Sequence, residues 1–193
     1  MKKYICNRKT YKEFIQYELN KYGKWGGMLR FIPVLFFEGQ VVVRHQILLR
    51  KAELYCNTGH KLLGMIYRMR LSRLQTRYGG MTIPLNVFDK GLYVLHVGPR
   101  NINGNAVVGK NCALHTNVGL VAGGHNSGAP SLGDNVVIGT GAVVLGDVSI
   151  ADGIAIGANA VVNKDFTEKN IAIAGVPAKK ISNNGSSTWN PQK

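Results

Sequence analysis

The sequence predicts a mainly β chain, a parallel β-helix of hexapeptide repeats preceded by an α-helical N-terminal region. Three observations carry this. Aliphatic residues recur every six positions over residues 102–162. Glycine is unusually frequent, 24 of 193 residues, against an average of roughly 7%. Charge is divided unevenly: residues 1–80 hold 16 Lys/Arg and four Asp/Glu, whereas residues 81–193 hold eight and six.

Stepping by six from Ile102 meets Val108, Leu114, Leu120, Asn126, Leu132, Ile138, Val144, Ile150, Ile156 and Val162. Ten of these eleven positions are aliphatic. A second series, four residues on, is small or aliphatic: Ala106, Cys112, Val118, Val136, Ala142, Val148, Ile154 and Ala160. Gly109, Gly133, Gly139 and Gly157 follow members of the first series. Period six fits neither a helix nor a simple strand. It describes a coil with short flat sides, one aliphatic side chain per side pointing inward and small residues at the corners. Cys112 falls on the inward set and reads as core. Continued backward, the phase puts residue 96 inward, so a break at Gly98-Pro99 is needed to free it.

The N-terminal region reads as helices. Phe14, Ile15, Leu19 and Tyr22 are spaced helically over Tyr11–Tyr22, with Gly23, Gly26 and Gly27 after them. Gln40–Tyr55 and Lys61–Tyr78 follow, and Gly79-Gly80 closes the last. Arg44, Arg50, Lys51, Arg68, Arg70, Arg73 and Arg77 are expected on a solvated basic face. That face could also rest on an anionic membrane surface or a lipid-linked glycan. No nucleic-acid motif is present. The organisation expected is residues 1–80 helical, 81–181 β-helical with a projecting loop at 121–131, and 182–193 a flexible tail.

The net charge of +14 invites an anionic partner. No apolar run approaches the ~20 residues that span a bilayer, and no secretory signal is visible. Cys6, Cys56 and Cys112 are odd in number and far apart, so neither a disulfide framework nor a zinc knuckle is supported. A cytoplasmic protein is expected, with peripheral contact at the inner face of a membrane as the further expectation.

Three stretches carry a family resemblance. These are residues 91–99 (GLYVLHVGP), residues 132–142 (LGDNVVIGTGA) and residues 175–179 (GVPAK). Together they resemble the hexapeptide-repeat acyltransferases, within them the serine acetyltransferase-like branch, and closest the enzymes that O-acetylate polysaccharides. The resemblance implies a left-handed coil, a homotrimer with active sites between neighbouring coils, acetyl-CoA as co-substrate, no metal, and direct transfer to a hydroxyl. It implies His96 as general base. His115, at an outward corner, and His125, on the loop, are candidates for acceptor binding. For the cofactor the candidates are Gly123, Gly124, Ala142, Ala160, Lys164, Lys179 and Lys180. His45 and His60 read as structural or solvent-facing. A three-histidine zinc site is disfavoured because the ten-residue gap from His115 to His125 does not match the close ligand pair such coils use.

Serine acetyltransferases place an acid directly before the catalytic histidine, another about fifteen residues earlier to orient it, and a second histidine before the proline that re-enters the coil. Here these positions are Leu95, Met81 and Ala129. A charged amino acid needs charged partners, so the expectation is a neutral sugar or lipid-linked glycan acceptor. Serine remains the alternative, as does a non-catalytic scaffold in glycan assembly. What orients His96 stays open, with a backbone carbonyl as one candidate.

Overall fold

The computed structural model describes residues 4–23, 38–124 and 128–189. Three helices come first: α1 (Arg8–Asn20), α2 (Glu38–Asn57) and α3 (Lys61–Arg77). Asn7 caps α1, its side chain accepting from the Thr10 amide at 2.8 Å. The apolar residues of α1 face α2, which is buried along most of its length and also packs on α3.

Arg50 departs from the expected basic face. It is fully buried, held by Glu18 at 2.6 Å and Glu53 at 2.8 Å. The two carboxylates keep the guanidinium charged, its pKa raised despite desolvation. Sequence periodicity could not show this, because Glu18 lies on a different helix.

From residue 81 the chain winds through three parallel sheets in turn. One contains β1 (Met81–Thr82), β3 (Arg100–Ile102), β6 (Val118–Val121), β9 (Val143–Leu145) and β12 (Val161–Val162). The second contains β4 (Val107–Val108), β7 (Ser131–Leu132) and β10 (Ser149–Ile150). The third contains β2 (Tyr93–Val94), β5 (Ala113–Leu114), β8 (Val137–Ile138), β11 (Ala155–Ile156) and β13 (Ala172–Ala174), with β14 (Lys179–Ser182) antiparallel at its end. The fold is a left-handed parallel β-helix behind a helical N-terminal region. Its interior is the six-residue series: Val108, Leu114, Leu120, Ile138, Val144 and Val162 are completely buried. Full burial of one such side chain is worth about 1.5–3 kcal/mol. Asn111, Asn117, Asn135 and Asn159 turn corners with φ between 56° and 59°, the left-handed region that asparagine tolerates. Cys112 is core, and burial pushes its thiol up to about 12.

An ordinary turn of the coil takes 18 residues, as Val137 pairing with Ala155 shows. Two turns differ. Ala113 pairs with Val137, 24 positions on, because six extra residues leave the coil between β6 and β7. That excess is one repeat length, so the phase survives on the far side of the insertion. Tyr93 pairs with Ala113, 20 positions on, because two extra residues enter between β2 and β3. The inward residues there are Val94 and Ile102, so residue 96 is released to the outside.

The C-terminal stretch also differs from the expected flexible tail. Residues 182–189 end β14 and form a 3-10 helix (Ser186–Trp189). Ser186 is buried and its amide donates to the Gly153 carbonyl at 2.8 Å.

Candidate active site

The segment that leads into His96 is clamped by the helices. Arg50 donates to the carbonyls of Phe88 and Asp89 at 3.0 and 2.9 Å. Gln46 donates to the Leu92 carbonyl at 3.0 Å, and the Gly91 amide donates to Glu18 at 3.1 Å. Tyr22 Oη donates to the Val94 carbonyl at 3.0 Å and accepts from the Val94 amide at 3.1 Å. The buried salt-bridge cluster of the helices is thus the mount for the strand before the histidine.

Beyond β2 the two-residue insertion makes the turn that carries His96. Arg100 braces it from inside the coil, donating to the His96 carbonyl at 2.7 Å and the Gly98 carbonyl at 2.9 Å. Burial lowers the Arg100 pKa to about 10. The His96 imidazole itself is exposed. Its Nδ1 lies 3.4 Å from Oε1 of Glu38, which also accepts the Val97 amide at 2.6 Å. A carboxylate on Nδ1 favours the tautomer with the proton there, leaving the Nε2 lone pair for the outside.

His115, one coil on, is half-buried, its ring centroid 6.3 Å from that of His96. Desolvation, then the His96 and Arg100 charges, lower its pKa, so it stays neutral near pH 7. Beside this corner a groove of about 480 Å³ crosses the outer face of the first sheet, lined among others by Pro99, Asn117, Gly119 and Val143. Gly119 keeps its floor low, since a methyl there would come within 3.3 Å of Val143.

The other site residues divide. His125 lies outside the described residues. Gly123 is half-buried and Gly124 exposed, with open space where a side chain would stand. Ala142 and Ala160 are corrected: both point into the coil at 0% exposure. Their amides and carbonyls are spent on coil hydrogen bonds, so they line no groove. Lys164 is exposed above the Phe166 ring, and Lys179 is exposed on β14. Lys180 is paired with Glu168 at 2.5 Å, which offsets its charge. His45 is buried against Gln75 at 3.1 Å, and His60 packs beside Thr58 at 2.9 Å. Among the described residues, no group of three side chains could hold a metal ion. No described helix is long and apolar enough to cross a membrane.

Sequence reasoning passed over Glu38 and Arg100. Glu38 carried one signal: it is the sole carboxylate between Glu18 and Glu53.

The repeat and the coil define a hexapeptide-repeat protein: residues 129–164 match the family described as Bacterial transferase hexapeptide (six repeats). More particularly, the chain has the fold of the serine acetyltransferases. It superimposes on serine acetyltransferase from Brucella abortus strain S19 with TM-score 0.65 and 19% identity, covering 93% of this chain and 72% of that one. The same enzyme in complex with coenzyme A gives 0.64 and 21%, over 92% and 70%. Neisseria gonorrhoeae serine acetyltransferase in complex with serine gives 0.62 and 24%, over 89% and 69%. No curated protein sequence matches the chain.

Proposed function

We propose that the protein is an acyl-CoA-dependent O-acetyltransferase with His96 as general base. The observation that carries this is the Glu38 carboxylate 3.4 Å from Nδ1 of an outward-facing imidazole on a turn braced by the buried Arg100. Nε2 takes the proton of the acceptor hydroxyl as its oxygen attacks the thioester carbonyl carbon. The tetrahedral intermediate collapses, the C–S bond breaks, and the imidazolium returns its proton to the departing sulfur. The products are the acetyl ester and free CoA thiol. The groove beside Pro99 and Gly119 is where the pantetheine arm would approach His96. Lys164 and Lys179 are the phosphate contacts. His115 contacts the acceptor, with His125 from the loop. A homotrimer, with a neighbouring coil closing the groove, would give about 63 kDa, three times 21.0 kDa.

The acceptor we favour is a sugar hydroxyl. Leu95 is uncharged, Ala129 replaces a histidine, and Arg100 is spent on carbonyls, so the described surroundings of His96 offer no free charge pair for an amino acid. Met81, wholly buried, no longer counts in this argument, because Glu38 provides a carboxylate for the imidazole from a different element. Serine is the second reading and the one the comparisons favour, since the solved structures above are serine acetyltransferases and one holds serine. The test is CoA thiol release by purified protein from acetyl-CoA, with free sugars, phosphate-linked sugars and L-serine as acceptors. Turnover with serine alone overturns the sugar reading. No turnover with any acceptor favours the scaffold.

A further inference from the structure

Four arginines of the helical region gather at one pocket. Arg70, Arg73 and Arg77 are spaced three and four apart on α3, so they share a face. Arg44 of α2 joins them around a pocket of about 290 Å³, walled by Leu48, Leu74 and Tyr78. All four arginines are exposed, and among the described residues none has a salt bridge. The acids nearest in sequence are already engaged, Glu38 by His96 and the Val97 amide, Glu53 by Arg50. α3 carries no acid, and neither does the sequence of residues 24–37. Four guanidiniums converging without a counter-charge repel one another, which a doubly or triply charged anion would relieve. Guanidinium forks match phosphate oxygens in pairs.

The pocket and His96 flank one corner of the molecule. Gly79, two residues after Arg77, lies against Gly98, two residues after His96; a methyl on Gly79 would come within 4.0 Å of Gly98 Cα. With 3.8 Å per residue step, the Cα atoms of Arg77 and His96 are at most about 21 Å apart. The Arg77 end of the pocket and the turn that carries His96 are therefore neighbours across the Gly79–Gly98 contact.

We propose that Arg44, Arg70, Arg73 and Arg77 anchor the phosphates of a glycosyl phosphate or diphosphate acceptor whose hydroxyl is acylated at His96. This rests on the sugar reading above. The phosphates have two possible sources, a soluble nucleotide sugar or a lipid-linked sugar. Leu62, Met65 and Met69 stand exposed on the same helix, at 66%, 52% and 47%, as contacts for the chain of the second.

The test has a binding arm and a kinetic arm, both on the full chain. Inorganic pyrophosphate is titrated calorimetrically into the wild type and the Arg73→Gln/Arg77→Gln variant. Wild type should bind with an affinity that falls steeply with salt, and the variant at least tenfold more weakly. In the kinetic arm, thiol release is measured with a nucleotide sugar and with a lipid-diphosphate sugar in detergent. The variant should raise the KM of the arm that is the acceptor tenfold or more, with the CoA KM unmoved. A response in one arm alone identifies the source. Equal pyrophosphate affinity in the two proteins, or none in the wild type, overturns the site. A rise in the CoA KM instead assigns the pocket to the cofactor and overturns the acceptor role. Arginine-dependent pyrophosphate binding with no thiol release from any acceptor defeats the acyl-transfer reading and the acceptor role with it, while the anion site stands. Turnover of serine or free sugar at rates the variant does not alter overturns the proposal by itself.

Discussion

Glu38, in the first turn of α2, places Oε1 3.4 Å from Nδ1 of His96, 58 positions further along the chain. The same oxygen accepts the Val97 amide, so one carboxylate holds the turn and stands beside the ring that the turn carries.

Glu38→Gln should lower kcat about tenfold to hundredfold, less than for a fully buried partner because this pair is half-exposed. Steady-state thiol release checks this, and an unchanged kcat would mean that Glu38 does not act on the imidazole.

His96→Ala should cut kcat by roughly 10²–10⁴ and leave CoA affinity nearly unchanged, because the imidazole serves the acceptor hydroxyl. His115→Ala should keep kcat within about tenfold and act mainly on the acceptor KM. Steady-state kinetics with both substrates varied separates the two. The reverse pattern would put the base on the next coil.

The Glu18–Arg50–Glu53 cluster is buried, so removing one member strands charge rather than merely losing a contact. Arg50→Met should cost about 3–5 kcal/mol in urea unfolding. If His96 is the base, it should also reduce activity in protein that remains folded, because Arg50 holds the carbonyls of Phe88 and Asp89 in the segment that leads to the His96 turn.

Burial lowers the His45 pKa to about 3, against an unfolded value of roughly 6.5. Below pH 6.5 the unfolded chain binds a proton that the folded chain refuses. The resulting stability is complete above that pH and is lost as pH falls toward 3, up to about 5 kcal/mol. Urea midpoints at pH 7, 5 and 4 should fall less steeply in His45→Gln than in wild type.

Lys179→Glu should raise the CoA KM about tenfold or more, the size of a charge-assisted hydrogen bond to phosphate lost. Lys180→Gln should do less, since Glu168 already offsets Lys180. Equal effects, or an effect on the acceptor KM alone, would move the phosphates away from β14.

The coil was readable because each of its sides repeats one local rule. Leu114, Ile138 and Ile156 stack because each satisfies the same six-residue phase. Ala142 and Ala160 belong to that regularity too, and the periodicity places them inward; reading them as groove residues set a resemblance above the pattern. The turn at His96 was half-legible: Gly98-Pro99 signals a break, but the two-residue insertion emerges only from the pairing of Tyr93 with Ala113.

The coil itself, its inward series and the excess of positive charge were therefore determined by the sequence alone, since each depends on residues close together in the chain or on composition. The partner of His96 and the burial of Arg50 were decided only when the helices docked on the coil, and the gathering of Arg44 with Arg70, Arg73 and Arg77 only when the second and third helices packed together. Each joins residues from separate elements, and no period links Glu38 to His96. Their proximity exists because α2 is buried against the coil, where Gln46 and Arg50 meet backbone carbonyls of residues 88–92.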